Sequence, residues 1–148
     1  MHSGASSMKK SLLTIIIVLG LPIGFMCTAS LPLILLGYVQ PDPHPWNWLT
    51  MYIIDCLFGL SLLTTLYGIA KKASWGKSLA LVTAGYALFA FTQTAMEAAL
   101  NIQGKLEAPI SNPPFILTFM VLGVLLSIGI LLFTIQYPAH WHTQDTSA

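Results

Sequence analysis

Two carboxylic acids stand inside apolar runs of this 148-residue chain: Asp55, within Tyr52-Ile53-Ile54-Asp55-Cys56-Leu57-Phe58-Gly59, and Glu97, within Thr94-Ala95-Met96-Glu97-Ala98-Ala99. A carboxyl group can hold a cation, relay a proton or act as a general acid, and its surroundings decide which of these is open to it. Within these apolar runs no Lys, Arg or His lies near either acid; Lys77 stands twenty positions before Glu97. An ionised Asp at the centre of a bilayer costs about 2.5 to 3.5 kcal/mol on insertion scales, so such an acid must be shielded, paired, protonated or wet. With no basic partner at that depth, burial and like charge favour a neutral, protonated form for at least one of the pair.

The elements that position these acids are read from length and hydropathy. Hydrophobic residues make up 55% and charged residues 7% of the chain, against roughly 25% charged in a soluble domain, which places it in a membrane. A helix needs about 20 apolar residues to cross the hydrocarbon layer, and four segments reach that length: 11–37, 48–70, 75–102 and 115–136. Trp46, Trp48, Trp75 and Trp141, with Tyr38 and Tyr137, fall at or just beyond the span ends, where interfacial aromatics belong. The expected fold is all-α, an integral membrane four-helix bundle of antiparallel hairpins. It comprises a leader at 1–10, a single transmembrane domain at 11–137 and a solvated tail at 138–148.

Lys9 and Lys10 precede the first span and Lys71, Lys72 and Lys77 flank the second connection, whereas Lys105 alone lies on the other side. The positive-inside rule then places both termini in the cytoplasm, and the compact, Lys-flanked design suits a bacterial inner membrane. The first span also has the three regions of a signal peptide ending near Cys27-Thr28-Ala29-Ser30, but the apolar run resumes at once through Leu31 to Leu36, as a long Pro-bent spanning helix would. Pro41, Pro43 and Pro45 make the first outer connection an extended strut, and Asn112 before Pro113 and Pro114 supplies a cap for the fourth span.

At about 100° per residue, Trp48, Met51, Gly59, Leu62, Leu66 and Ile69 share the face of Asp55. Thr83, Tyr86, Ala90, Gln93 and Asn101 likewise share the face of Glu97. A stripe of small and polar residues on a membrane helix belongs between helices, since lipid offers it no hydrogen bonds. Three readings follow. Asp55, Glu97, Gln93, Asn101, Tyr52 and Tyr86, with Thr28 and Ser30 from the first span, line an outer-half pocket for a lipophilic or cationic small molecule or a proton. Alternatively the acids join helices by hydrogen bonds worth about 0.6 to 2 kcal/mol each, or meet a basic residue of another subunit.

Other chemistry is less well supplied. All six basic residues are Lys and the formal charge is +1, which argues against nucleic acid and leaves no Arg fork for an anionic substrate. Cys27 and Cys56 read as small core residues, without a CxxC pair or zinc spacing. Asp42 with His44, and His140 with His142, fall short of a metal site, so no metal, cofactor or catalytic residue is assigned. Gly123 and Ser127 form a small-xxx-small pair suited to close helix packing, within the bundle or against a second copy. The leading expectation is a non-enzymatic membrane protein with an acidic pocket. The alternatives are an accessory subunit of a larger membrane complex, or a homo-oligomer, and a lipid-modifying enzyme with Asp55 or Glu97 as general acid.

Overall fold

The computed structural model describes residues 3–38, 48–105 and 112–141. Its helices are α1 (Ser3–Leu35), α2 (Trp48–Lys71), α3 (Ser74–Ile102) and α4 (Pro113–Gln136), followed by a 3-10 turn, η1 (Pro138–Trp141). All four long helices are long and apolar enough to cross a membrane. Their outward faces carry Val18, Phe25, Leu57, Val82 and Ile135, while Thr65, Thr83, Ser127 and Thr134 are buried inside. Apolar residues outside and hydroxyls inside suit a hydrocarbon solvent, in which polar groups must find each other. The chain is an all-α, multi-pass membrane four-helix bundle.

Each helix packs on its neighbours in chain order and α1 closes against α4, but the pairs α1–α2 and α3–α4 are much more extensive than α2–α3. Two well-packed hairpins therefore stand side by side, joined by a short lysine turn. That turn is a Schellman motif: Ala73 N donates to Gly68 O at 3.0 Å and Lys72 N to Ile69 O at 3.2 Å, with Lys72 left-handed at φ 56° in the position glycine usually fills. Beside the turn the backbones nearly touch, for a Cβ placed on Gly68 would lie 3.0 Å from Gly76 Cα. One turn further along, Ser61 Oγ and Thr83 Oγ1 are 2.6 Å apart and Thr65 Oγ1 donates to Thr83 Oγ1 at 3.2 Å. The expected tight hairpin of spans two and three is thus present at its lysine end.

On the other side of α2, small residues let α1 approach. A Cβ on Gly59 would lie 2.7 Å from Gly24 O, and one on Gly24 would lie 2.8 Å from the Leu63 side chain. Helix α1 continues through Pro22 and Pro32, and Ile16 and Ile23 belong to the core, so α1 is a wall of the bundle.

Three expectations change. Helix α1 begins at Ser3, so the leader is helical from there and continuous with the first span; Ala5 to Lys10 contains neither Gly nor Pro to stop a helix. Asn112 precedes α4 but is left-handed at φ 49° and makes no side-chain cap. Its carbonyl instead accepts from Phe115 N and Ile116 N at 3.1 and 3.2 Å. The tail is not solvated throughout: Pro138 and Ala139 are exposed, but His140 and Trp141 are 5% and 1% exposed. The indole fills the space opposite Gly76, where a Cβ would lie 2.8 Å from it. Trp141 is therefore a packing residue, whereas Trp75, 48% exposed, has the exposure of an interfacial one. Trp46, Asp42, His44, His142 and the prolines at 41, 43 and 45 lie outside the described residues.

Candidate functional site: a lateral groove between α2 and α3

The stripe that carries Asp55 along α2 is not covered evenly. Towards the lysine turn, Gly59, Leu62, Leu66 and Ile69 are buried; towards the opposite end, Asp55 and Met51 are exposed. The stripe of Glu97 on α3 behaves the same way, with Thr83 buried, Tyr86 and Gln93 exposed, and Ala90 and Glu97 half-buried. The same faces meet near the turn and are uncovered beyond the hydroxyl cluster. The result is a groove of about 440 Å³, lined by Met51, Ile54, Asp55, Tyr86, Phe89, Ala90, Gln93, Thr94 and Glu97. Its lining brings both acids together with Gln93 and Tyr86, and contains no basic side chain.

A smaller chamber of about 60 Å³ adjoins the groove behind Asp55 and Tyr86, walled by Phe58, Ala87, Ala90, Phe91, Thr94 and Met120. Phe58 is its hinge: its ring centroid is 5.9 Å from Tyr86 and 5.4 Å from Phe91, the latter edge-on at 87°. Phe91 in turn meets Phe119 of α4 edge-on at 6.4 Å. A Cβ on Gly123 would collide with the Phe91 ring, and Ser127 Oγ donates back to Gly123 O at 2.7 Å. Gly123 and Ser127 are both buried; the close packing they permit lies inside the bundle, where it seats the chamber's back wall.

The remaining expected residues go elsewhere. Thr28 Oγ1 donates to Gly24 O and Ser30 Oγ to Cys27 O, each at 2.7 Å, which keeps both hydroxyls on α1. Tyr52 and Asn101 are half-buried and neither lines the groove. Within the groove, Gln93 Nε2 donates to Glu97 Oε1 at 3.4 Å, one helical turn apart, and Thr94 Oγ1 donates to Ala90 O at 3.1 Å. Asp55 is exposed towards the groove rather than enclosed in the core.

Sequence reasoning missed Phe58, Phe91, Thr94 and Met120. Phe58 and Thr94 lie three positions from Asp55 and Glu97 on the same helices, but Phe91, six positions from Glu97, and Met120 of α4 reach the chamber only through the packing of the helices. Cys27 and Cys56 are both free thiols. Among the described residues no three His, Cys, Asp or Glu side chains group so as to hold a metal ion. The arrangement offers negative charge beside aromatic and aliphatic carbon at the side of the bundle. No family model, curated protein or solved structure matches the chain.

Proposed function

We propose that this is a non-enzymatic membrane protein whose α2–α3 groove takes a lipophilic or cationic small molecule, or a proton, from the outer half of the bilayer. Both termini lie in the cytoplasm, in a bacterial inner membrane, as the lysines at the α2–α3 turn direct. The observation that carries the reading is that Asp55 and Glu97 line one lateral groove of about 440 Å³ with no basic residue beside them. A carboxylate left without a cation at that depth is costly, and a cation entering from the membrane removes that cost while its apolar part stays against Met51, Ile54 and Phe89.

Binding of dodecylammonium to the protein in lipid nanodiscs tests it. Asp55→Asn and Glu97→Gln should each weaken binding about tenfold, or about 1.4 kcal/mol, with the helical circular dichroism unchanged. Equal binding by wild type and both variants would sink the reading.

A second reading, an accessory subunit of a larger complex, rests on Gly85. A Cβ there would meet nothing within 4 Å, beside a shallow, largely apolar depression lined by Leu88, Phe89, Thr92, Gln93 and Met96. A partner helix could approach closely at such a position. Gly85→Leu should then abolish co-purification of a membrane partner and leave amine binding intact.

A further inference from the structure

A groove of charge and carbon leaves the ligand's head group open, and the chamber behind Asp55 narrows it. We propose, resting on the groove as a binding site, that the chamber is an aromatic cage for an N-methylated ammonium head group, with the ligand's alkyl chain running out along the groove.

Three rings, Phe58, Tyr86 and Phe91, wall one cavity together with a carboxylate, Asp55. They are not stacked flat on one another: Phe58 is tilted 41° from Tyr86 and 87° from Phe91, with centroids 5.9 and 5.4 Å away. Rings set at such angles bound a corner, and a cation seated over the face of one of them, within about 6 Å of its centroid, is attracted by the ring quadrupole. The volume, about 60 Å³, is several times the roughly 15 Å³ that one water requires, which suits a compact head group.

Hydrogen-bond supply separates the kinds of ammonium. A primary ammonium brings three donors, each of which costs free energy when buried without an acceptor. The chamber's polar lining is Asp55, Tyr86 and Thr94, and the rest of its wall is carbon and the Met120 thioether. Replacing N–H by N–CH₃ removes the donors that the carbon wall cannot satisfy. The methyl groups then face the rings, and the positive charge remains for Asp55. Outside the chamber Met51, Ile54 and Phe89 line the way to lipid, which suits an aliphatic chain. Gln93 and Glu97 are joined to each other along α3 and stand at the groove, outside the chamber lining.

The test compares dodecyltrimethylammonium, dodecylammonium and dodecanol for binding to the protein in nanodiscs of a neutral lipid. The cage predicts that the trimethylated probe binds about tenfold tighter than the primary amine and that the alcohol does not compete. Phe58→Leu and, at the better exposed position, Tyr86→Leu should each remove most of that preference, weakening the trimethylated probe much more than the primary amine. Equal affinity for the two amines, with both weakened by Asp55→Asn, overturns the cage and leaves the groove reading standing. No amine binding, or amine binding indifferent to Asp55→Asn, overturns both. If Phe58→Leu fails to fold, Tyr86→Leu alone decides, since loss of its methyl preference supports the cage and retention of it does not.

Discussion

Cys56 Sγ donates to the carbonyl oxygen of Thr28 across the α1–α2 contact, at 3.5 Å, and Thr28 is the residue whose helical donor is missing. In an unbroken α-helix that carbonyl would accept from the residue four positions on, which is Pro32, and proline has no N–H. A cysteine in α2 thus supplies the donor that a proline in α1 withholds. Packing tolerates Pro inside a membrane helix when a neighbour satisfies the freed backbone group.

The first prediction follows from that pairing. Cys56→Ala should cost about 0.6 kcal/mol in the wild-type background, the average for an interhelical hydrogen bond in a membrane protein. In a Pro32→Ala background the substituted position regains a backbone N–H that can bond to Thr28 O, and there the loss of the thiol should cost nothing measurable. A double-mutant cycle on unfolding in mixed micelles reads the difference, and equal costs in both backgrounds would show that the thiol acts only by filling space.

The second concerns pH. His140 Nε2 donates to Ile69 O at 2.7 Å, and Phe133 and Trp141 pack edge-on to the imidazole at 4.9 and 5.5 Å. Burial holds its pKa below the ordinary value of 6.5. The bond to the Ile69 carbonyl opposes that shift, and the positive charges of Lys9 and Lys72 add to it. The unfolded chain therefore binds a proton at higher pH than the folded one. The stability that neutral His140 contributes is complete above the ordinary value and is lost as pH falls through the depressed one. Unfolding midpoints between about pH 7.5 and 5.5 should fall in the wild type and fall less in His140→Gln; parallel profiles would remove His140 as the source.

The third tests whether α4 positions the chamber. Gly123 leaves room for the Phe91 ring, so Gly123→Ala forces that ring to move. Overpacking of this kind costs about 1 to 3 kcal/mol. Because Phe91 walls the chamber, amine affinity should fall in the same variant, although no α4 residue but Met120 lines the cavity. Gly129→Ala is the control, since a Cβ there would meet Ile16 only at an ordinary 3.6 Å. Loss of stability without any change in binding would separate the α3–α4 seam from the site.

Spans were legible because crossing a bilayer demands length and apolarity, and both are written in the chain. The expected 48–70, 75–102 and 115–136 became Trp48–Lys71, Ser74–Ile102 and Pro113–Gln136. The faces were legible too: projecting α2 and α3 at helical spacing put Asp55, Tyr86, Gln93 and Glu97 on stripes that meet in one groove. What the projection could not give was coverage along the stripe. Asp55 and Leu62 share a face, yet the acid is exposed and the leucine only 1% so, because coverage depends on where a neighbouring helix leaves the contact. Assigning Thr28 and Ser30 to the pocket failed for a related reason. Short hydroxyl side chains satisfy themselves on the preceding turn of their own helix, so polarity alone did not direct them to a site. The chamber's Met120 depends on the register of α3 against α4, which no local pattern encodes.

The last prediction concerns the chain beyond the fourth span. A polar stretch after a membrane helix reads as dispensable tail, but Trp141 is 1% exposed and lies against Gly76 at the lysine turn. Its ring also meets Phe133 of α4 edge-on, at 6.3 Å. The indole therefore ties the end of α4 to the start of α3, where the two hairpins join. Removing a fully buried Trp side chain costs about 3 to 5 kcal/mol. Trp141→Ala should lower the unfolding midpoint accordingly, whereas Trp75→Ala, at a 48% exposed position, should cost much less. Restoring bulk from the other side gives the sharper comparison: Gly76→Ala should be harmful beside Trp141 and less harmful in a Trp141→Ala background, because the 2.8 Å contact with the indole is then gone and only the 3.1 Å approach to the Gly68 backbone remains. Comparable losses in the Trp141 and Trp75 variants would mean that η1 does not clamp the bundle.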